Sequence, residues 1–384
     1  MNNWQIKKLG EICIVKPPKS EARKKLNDND VVSFVPMEDL GILNKNLNLS
    51  QTKKLKEVVE SYTYFADDDV LMAKITPCFE NGKLGIAKNL KNGIGFGSSE
   101  YVVFRTNDDL LPEYLFYFLS TKKFREEGSK NMRGAAGHKR VSKEFIKNFT
   151  ISFPPLLEQK RLVALLDELF EKIEKANENT KKNLKNSKEL FESWLKDRIH
   201  NPDNDWAKQQ LGEIAENLDR KRIPITKKDR INGDFPYYGA SGIVDYVNDY
   251  IFDEDLLLIS EDGANLLART YPIAFSISGK TWVNNHAHVL KFKKKITQKF
   301  VEYYLNSINL VSYISGMAQP KLNQASLNSI EIHLPEISEQ KSIVESFDKL
   351  STNTKKIESL YQQKLNNLEE LKQSILHQAF TGKL

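Results

Sequence analysis

Trp4-Gln5-Ile6-Lys7-Lys8-Leu9-Gly10-Glu11-Ile12 returns as Trp206-Ala207-Lys208-Gln209-Gln210-Leu211-Gly212-Glu213-Ile214, position 206 against position 4, an offset of 202. Further on, Glu158-Gln159-Lys160 returns as Glu339-Gln340-Lys341, 339 against 158, an offset of 181. Around that landmark Val141, Ile146, Ile151 and Phe153 map at the same offset onto Leu322, Leu327, Ile332 and Leu334. The offset shrinks from 202 to 181 between the landmarks, so the first copy is longer in its middle. A fixed-period repeat decides the architecture before any local reading does. Two copies that keep their ends and differ between them predict one scaffold presenting two different surfaces.

The chain of 384 residues has room for two or more ordinary cores. Its 40% hydrophobic and 28% charged content is that of a globular protein. A net charge of +6 and a pI near 8.9 suit a polyanionic partner without requiring one. Two cysteines, Cys13 and Cys78, are too few for a disulfide framework or a zinc cluster, so a reducing compartment is expected. Met1-Asn2-Asn3-Trp4 lacks a basic-then-apolar signal pattern. The longest aliphatic runs, such as Leu256-Leu257-Leu258-Ile259, are strand-sized and far below a membrane span of about 20 residues. A cytoplasmic location away from membranes is the expectation.

Each copy reads as mixed α/β. In the first, Val31–Val35, Asp69–Ala73 and Tyr101–Phe104 are strand candidates, with turns at Glu80-Asn81-Gly82-Lys83 and Lys91-Asn92-Gly93. A helix is predicted over Pro112–Leu119, with the proline in its first turn. The second copy offers strands at Leu256–Ile259 and His288–Phe292 and a helix at Lys299–Leu305.

After each copy comes a proline signal, Phe153-Pro154-Pro155 or Leu334-Pro335, then a long segment free of glycine and proline until Pro202 or Gly382. Ser338 is a candidate N-cap for the second segment. In the first, Leu166, Leu169, Ile173, Ala176, Thr180, Leu184, Ser187, Phe191 and Trp194 form a heptad seam with one stutter. Adding 181 gives Phe347, Leu350, Thr354, Ile357, Tyr361, Leu365, Leu368, Lys372 and Ile375; Lys372 breaks the stripe and Leu371 can serve instead. A helix of roughly 40 residues spans about 60 Å and needs a partner for such a stripe. The matched stutter favours the two helices pairing with each other, antiparallel, with the globular parts at opposite ends. Two separate helices, each packed on its own domain, are the alternative.

This order of variable domain, long helix, variable domain, long helix resembles the specificity subunit of type I restriction-modification systems. In the first copy the resemblance rests on Asp68-Asp69-Val70-Leu71-Met72-Ala73-Lys74-Ile75-Thr76-Pro77-Cys78-Phe79-Glu80-Asn81-Gly82-Lys83, followed by Gly95-Phe96-Gly97-Ser98-Ser99-Glu100-Tyr101. In the second it rests on Tyr237-Tyr238-Gly239-Ala240-Ser241-Gly242-Ile243, Asp262-Gly263-Ala264 and Asn284-Asn285-His286-Ala287. The stretch Ser374–Leu384, ending Ala379-Phe380-Thr381-Gly382-Lys383-Leu384, is also typical of the family. Each motif is weak alone; their joint order covers essentially the whole chain. The resemblance implies target-recognition domains at 1–156 and 201–336 and spacer helices at 157–200 and 337–384, an α/β protein with a pseudo-two-fold repeat and an antiparallel coiled coil. It further implies a non-catalytic reader of double-stranded DNA, each domain taking half of a bipartite sequence while the helices fix the gap. The helices would dock two modification subunits, which carry S-adenosylmethionine and methylate adenine, and restriction subunits would join that core. Two sites on a rigid spacer bind as a unit, and half-sites one helical turn apart are about 34 Å apart.

The basic candidates of the first domain are Lys74, Lys83, Arg133, His138, Lys139 and Arg140. Arg133-Gly134-Ala135-Ala136-Gly137-His138-Lys139-Arg140 combines small residues for close backbone approach with cations for phosphates or guanine edges; a solvated basic loop is its plainer reading. Asn81 suits adenine and Lys83 phosphate or guanine, or Glu80–Lys83 is an ordinary hairpin turn. In the second domain Arg220-Lys221-Arg222 and Lys227-Lys228 form a charge run, either solvated or touching phosphate. Tyr237, Tyr238, Ser241 and Gly242 form a loop able to face a groove or pack as a turn. Lys280, Asn284, Asn285 and His286 join a cation to base-reading amides, or are structural. Gln319 and Lys321 match His138 and Arg140. For the helix pair, Leu166, Leu169, Ile173, Phe191 and Trp194 are expected to meet Phe347, Leu350, Ile357, Leu365 and Leu368.

Catalysis by the chain itself is not expected. Gly93-Ile94-Gly95-Phe96-Gly97 leads into a strand, whereas a phosphate-binding glycine loop opens a helix. The double prolines, Lys16-Pro17-Pro18 and Phe153-Pro154-Pro155, are not the Asn/Asp-Pro-Pro-aromatic motif of an adenine methyltransferase. Asp67-Asp68-Asp69 reads as an exposed turn rather than a nuclease cluster, and no metal spacing is present. No cofactor is expected in this chain. The rival reading is a duplicated coiled-coil scaffold that pairs proteins without sequence-specific DNA binding.

Overall fold

A computed structural model describes residues 4–135, 137–200, 206–316 and 318–384. The chain forms two compact units: Met1–Thr180 with Gln363–Leu384, and Lys181–Gln362. Both divisions fall inside long helices, Leu156–His200 and Ile337–Phe380, so each unit holds one globular part and one stretch of each helix. Pro202, read as the stop after the first helix, lies outside the described residues.

In the first unit, strands Cys13–Val15, Tyr101–Thr106, Val70–Ala73 and Leu84–Ile86 form an antiparallel sheet in that order. A second sheet runs Gln51–Lys54, Val31–Val35, Ile94–Gly97, Thr63–Ala66, with Val31–Val35 and Ile94–Gly97 parallel. The second unit repeats both. One sheet is Ala215–Asn217, Ala287–Phe292, Leu256–Ser260, Ala274–Ile277. The other is Gly242–Val247, Phe235–Gly239, Lys280–Val283, Phe252–Asp253, again with a parallel pair at Tyr237↔Trp282. The longer middle of the first copy has a definite place. Residues 36–50 separate Val31–Val35 from its antiparallel neighbour, where only Ala240-Ser241 intervene in the second unit.

The repeated opening motif closes each unit. Gln5–Lys8 pairs with Thr150–Phe153, and Ala207–Gln210 with Glu331–Leu334, so the start of each globular part is tied to its end. The Leu-Gly-Glu-Ile that follows is a single helical turn in which Glu11 and Glu213 accept from the Lys8 and Gln210 amides. Its leucines, Leu9 and Leu211, are buried. Gly10 and Gly212 allow close packing: an added Cβ would lie 3.2 Å from that of Lys147, or 3.0 Å from that of Asn328.

The long helices supply core to both units. Leu162 and Leu166 join Leu376 and Ala379 beneath the aromatic helix Pro112–Leu119, with Phe380 edge-on to Tyr114 and Phe118. In the second unit Leu195 and Ile199 meet Ile343, Val344 and Phe347 beside helix Lys295–Ser307. Within each unit the paired stretches run antiparallel. Arg161 reaches the Leu384 carbonyl while Phe170 lies under Lys372, and Arg198 reaches Glu339 while Trp194 meets Phe347.

Four expectations change. Lys372 does not break the seam: its ammonium sits 5.2 Å from the Phe170 ring centre, and Leu371 is the exposed neighbour. Ile357 is 41% exposed, so it contributes little to a helix interface. Ser338 is not the N-cap, because the helix begins at Ile337 and the Glu339 and Gln340 amides donate to the Glu336 carbonyl. Asp69 is not an exposed turn residue; it is fully buried and takes a two-pronged contact from Arg105.

Candidate nucleic-acid interface

In the first unit Met132–Arg133 and Arg140–Val141 form a two-stranded ribbon carrying the basic stretch; Ala136 within it lies outside the described residues. Gly134 has φ +130°, and a Cβ there would meet the His138 carbonyl at 2.8 Å, so the turn demands glycine. The ribbon is stitched to the end of the central strand. The Thr76 amide donates to the Lys139 carbonyl at 3.0 Å and the Val141 amide to the Lys74 carbonyl at 2.9 Å.

The second unit repeats this stitching on a shorter ribbon closed by one bridged pair, Ser315 and Lys321, whose amides donate to each other's carbonyls at 2.9 and 2.8 Å. The Gly263 amide donates to the Pro320 carbonyl at 3.1 Å and the Leu322 amide to the Glu261 carbonyl at 2.8 Å. Ile75 bridges Arg140, and Asp262 bridges Lys321. Arg140 and Lys321 therefore occupy one position of one design, as the repeat offset predicts.

Side chains clamp these ribbons with opposite charge patterns. In the first unit the acid is Glu100, between two strands: Arg140 grips it with bonds of 2.9 and 2.7 Å, and Lys74 lies 3.8 Å away while donating to the Ser99 carbonyl. The Arg140 hydrogen bonds hold the Glu100 carboxyl below its usual range. Burial pulls the Lys74 ammonium down, against the pull of Glu100. In the second unit the acids, Glu261 and Asp262, stand at the strand end. Lys321 lies 3.1 Å from Glu261, and His286 2.9 Å from Asp262. Burial works against ionised Glu261, but Arg222, His288 and Lys321 outweigh it and its pKa falls.

The predicted contact residues thus separate. Arg133, His138 and Lys139 are exposed, and their side chains have no hydrogen bond or ion pair among the described residues. Asn81, Arg220, Lys221, Ser241, Asn285 and Gln319 are also exposed. Lys280 is exposed, with its ammonium 4.6 Å from the Tyr250 ring centre. Lys74, Arg140, His286 and Lys321 belong to the clamps. Lys83 donates to the Met37 carbonyl at 2.6 Å.

Three residues read as surface candidates prove internal. Tyr237 lies in strand Phe235–Gly239 with its ring buried and its hydroxyl on the Ile225 backbone, because the strand pattern turns it inward. Tyr238 is half-buried near Phe275. Asn284 is buried and accepts from the His286 amide, shaping the turn. Arg222 is committed to Glu261 at 2.6 Å and the Ala287 carbonyl at 2.7 Å. The sequence alone assigns no role to the positioning acids Glu100, Glu261 and Asp219. Each forms its shortest ion-pair contact with a base 39 or more residues away, so no local pattern marks them. Among the described residues no three His, Cys, Asp or Glu side chains are arranged to hold a metal ion.

Two equivalent, basic or amide-bearing ribbons on a duplicated scaffold define a protein built to present two surfaces. The family model of the type I restriction modification DNA specificity domain matches residues 1–186 and 203–370, and the chain belongs to that family. It is 33% identical over 220 residues to the type I restriction enzyme EcoAI specificity subunit of Escherichia coli, 57% of this chain and 36% of that protein. The chain thus spans little more than a third of that relative's length. Its fold matches a chain from a structure of type I R-M complex assembly and conformational transition, with TM-score 0.82 and 18% identity, covering 100% and 99% of the two chains. It also matches the HsdS subunit of Thermoanaerobacter tengcongensis, with TM-score 0.65 and 18% identity, covering 100% and 98%. Among the described residues no helix is long and apolar enough to cross a membrane.

Proposed function

We propose that the chain is a non-catalytic DNA reader in which each unit recognises one half of a bipartite sequence. It would dock two modification subunits, and restriction subunits in the full complex, through its long helices. The observation that carries the reading is the pair of equivalent ribbons, each stitched to the same strand end and each leaving polar side chains exposed: Arg133, His138 and Lys139 in one, Gln319 in the other. Cations of this kind supply phosphate contacts, and amides supply base-edge contacts. S-adenosylmethionine and the methyl-transfer chemistry would belong to the partner modification subunit.

The test is co-expression with the neighbouring-gene modification subunit in a host without adenine methylation, followed by long-read mapping of methyladenine. Two short half-sites with a fixed unspecified gap are the expected result. A stable complex without new methylation would overturn the reading and favour a scaffold that touches no sequence.

A further inference from the structure

We propose that Gln159 and Gln340 are positioning residues that fix the angle at which each long helix leaves its globular part, and thereby hold the gap between half-sites; this rests on the reading function proposed above. Both glutamines stand in the first turn of a long helix and both are buried, at 0% and 1% exposure. The Gln159 carbonyl oxygen accepts from the Leu111 amide at 2.9 Å, and its Nε2 donates to the Asp109 and Pro154 carbonyls, each at 2.8 Å. Both hydrogens of that amide are used. The Gln340 Nε2 donates to the Pro335 carbonyl at 2.7 Å, and its oxygen accepts from the Thr297 hydroxyl at 2.8 Å.

The two sites have one plan. Each amide ties the proline hinge at the head of its long helix to the start of the neighbouring helix, Pro112–Leu119 or Lys295–Ser307. The partner at that second point differs: backbone of residues 109 and 111 in one unit, a threonine hydroxyl in the other. A buried amide costs free energy unless bonded, so each geometry is held only where every bond closes. The leucines below, Leu162 and Leu166, bury area without direction. Their packing opposes displacement but sets no bond angle, whereas hydrogen bonds weaken steeply as they bend. Small angles matter here. At the end of a lever of about 60 Å, a tilt of about 3° displaces the tip by about 3 Å, near the rise of one base pair.

The experiment maps methyladenine for the full complex carrying Gln159→Met, Gln340→Met or Thr297→Val, beside the unaltered chain and a Leu162→Ala control. Methionine keeps length and loses the bonds; valine removes one bond and supplies a milder variant should the methionines fail to fold. Expected are unchanged half-site bases and new methylation at gaps one base pair shorter or longer. Discrimination between gaps should fall about fivefold per bond lost, most in Gln159→Met. Leu162→Ala, which destabilises the same helix without touching the amide, should keep the single gap. A single unchanged gap in the glutamine and threonine variants, or equal widening in Leu162→Ala, overturns the inference. Absence of any bipartite motif with the unaltered chain would instead remove the reading on which it rests.

Discussion

His288 Nδ1 lies 2.6 Å from the Asp219 carboxylate while its Nε2 lies 2.7 Å from the Leu322 carbonyl, at the base of the second unit's ribbon. A carbonyl only accepts, so Nε2 carries a proton and donates to it. Asp219 also accepts from the Val289 amide at 2.8 Å. Burial opposes its charge, but His288, Val289 and Arg222 outweigh that and its pKa falls. Removing the ring with His288→Ala takes the 2.6 Å partner from a buried carboxylate that keeps only the Val289 amide and Arg222 at 3.6 Å, and takes the imidazole donor from the Leu322 carbonyl. The variant should lose about 3 kcal/mol of stability, read by chemical denaturation. A loss below about 1 kcal/mol would show that water repairs the site.

Lys139→Ala should weaken DNA association across all sequences and lower the slope of log affinity against log salt by about 1, the signature of one lost phosphate contact. Lys280→Ala should do the same for the second unit. Recovery of the complex with modification subunits should be unaffected. A variant that instead loses its protein partner would place that lysine at a protein interface.

Ile173 and Ile357 both fall on the apolar seam, yet Ile173 is 6% exposed and Ile357 41%. Ile173→Ala should cost about 2–4 kcal/mol, and Ile357→Ala less than about 1 kcal/mol. Denaturation midpoints of the two variants measure the contrast directly. Equal losses would mean that Ile357 is covered in solution.

Glu100 and Glu261 both titrate below their ordinary 4.5. Their unfolded forms bind protons more readily, so the stability they give is complete above the unfolded value and drains as pH falls through the folded one. The melting temperature should stay level from pH 7 to about 5 and fall below 4.5. A Glu100→Gln, Glu261→Gln double variant should show a shallower acid limb. A fall beginning above pH 6 in the unaltered chain would assign the transition to histidine instead.

The repeat, the helix Pro112–Leu119 and the strand Val31–Val35 were legible because offset, proline position and β-branched runs are local signals. The long helices were legible from their apolar spacing, but not the role of Lys372, whose stem and ammonium cover Phe170 in a way no binary pattern distinguishes from a break. The candidate site was half legible. Composition located the exposed cations Arg133 and Lys139. It does not separate them from Arg140, Arg222 and Lys74, because what decides is an acid brought in from 40, 39 and 26 residues away, respectively. Tyr237 reads as a loop residue because the aromatic pair stands between Pro236 and Gly239, whereas sheet pairing on both sides makes it strand.

The opposite charge order of the two clamps has a consequence for transplantation. The ribbon position is basic in both halves, Arg140 or Lys321, but its acid stands on the inter-strand turn in one half, as Glu100, and at the strand end in the other, as Glu261, so a ribbon moved alone would meet its acid from a different direction. The exchangeable cassette is therefore three separated stretches, strand end, inter-strand turn and ribbon, which carry their own electrostatics as a set. One half can be rewritten while the other keeps its wiring.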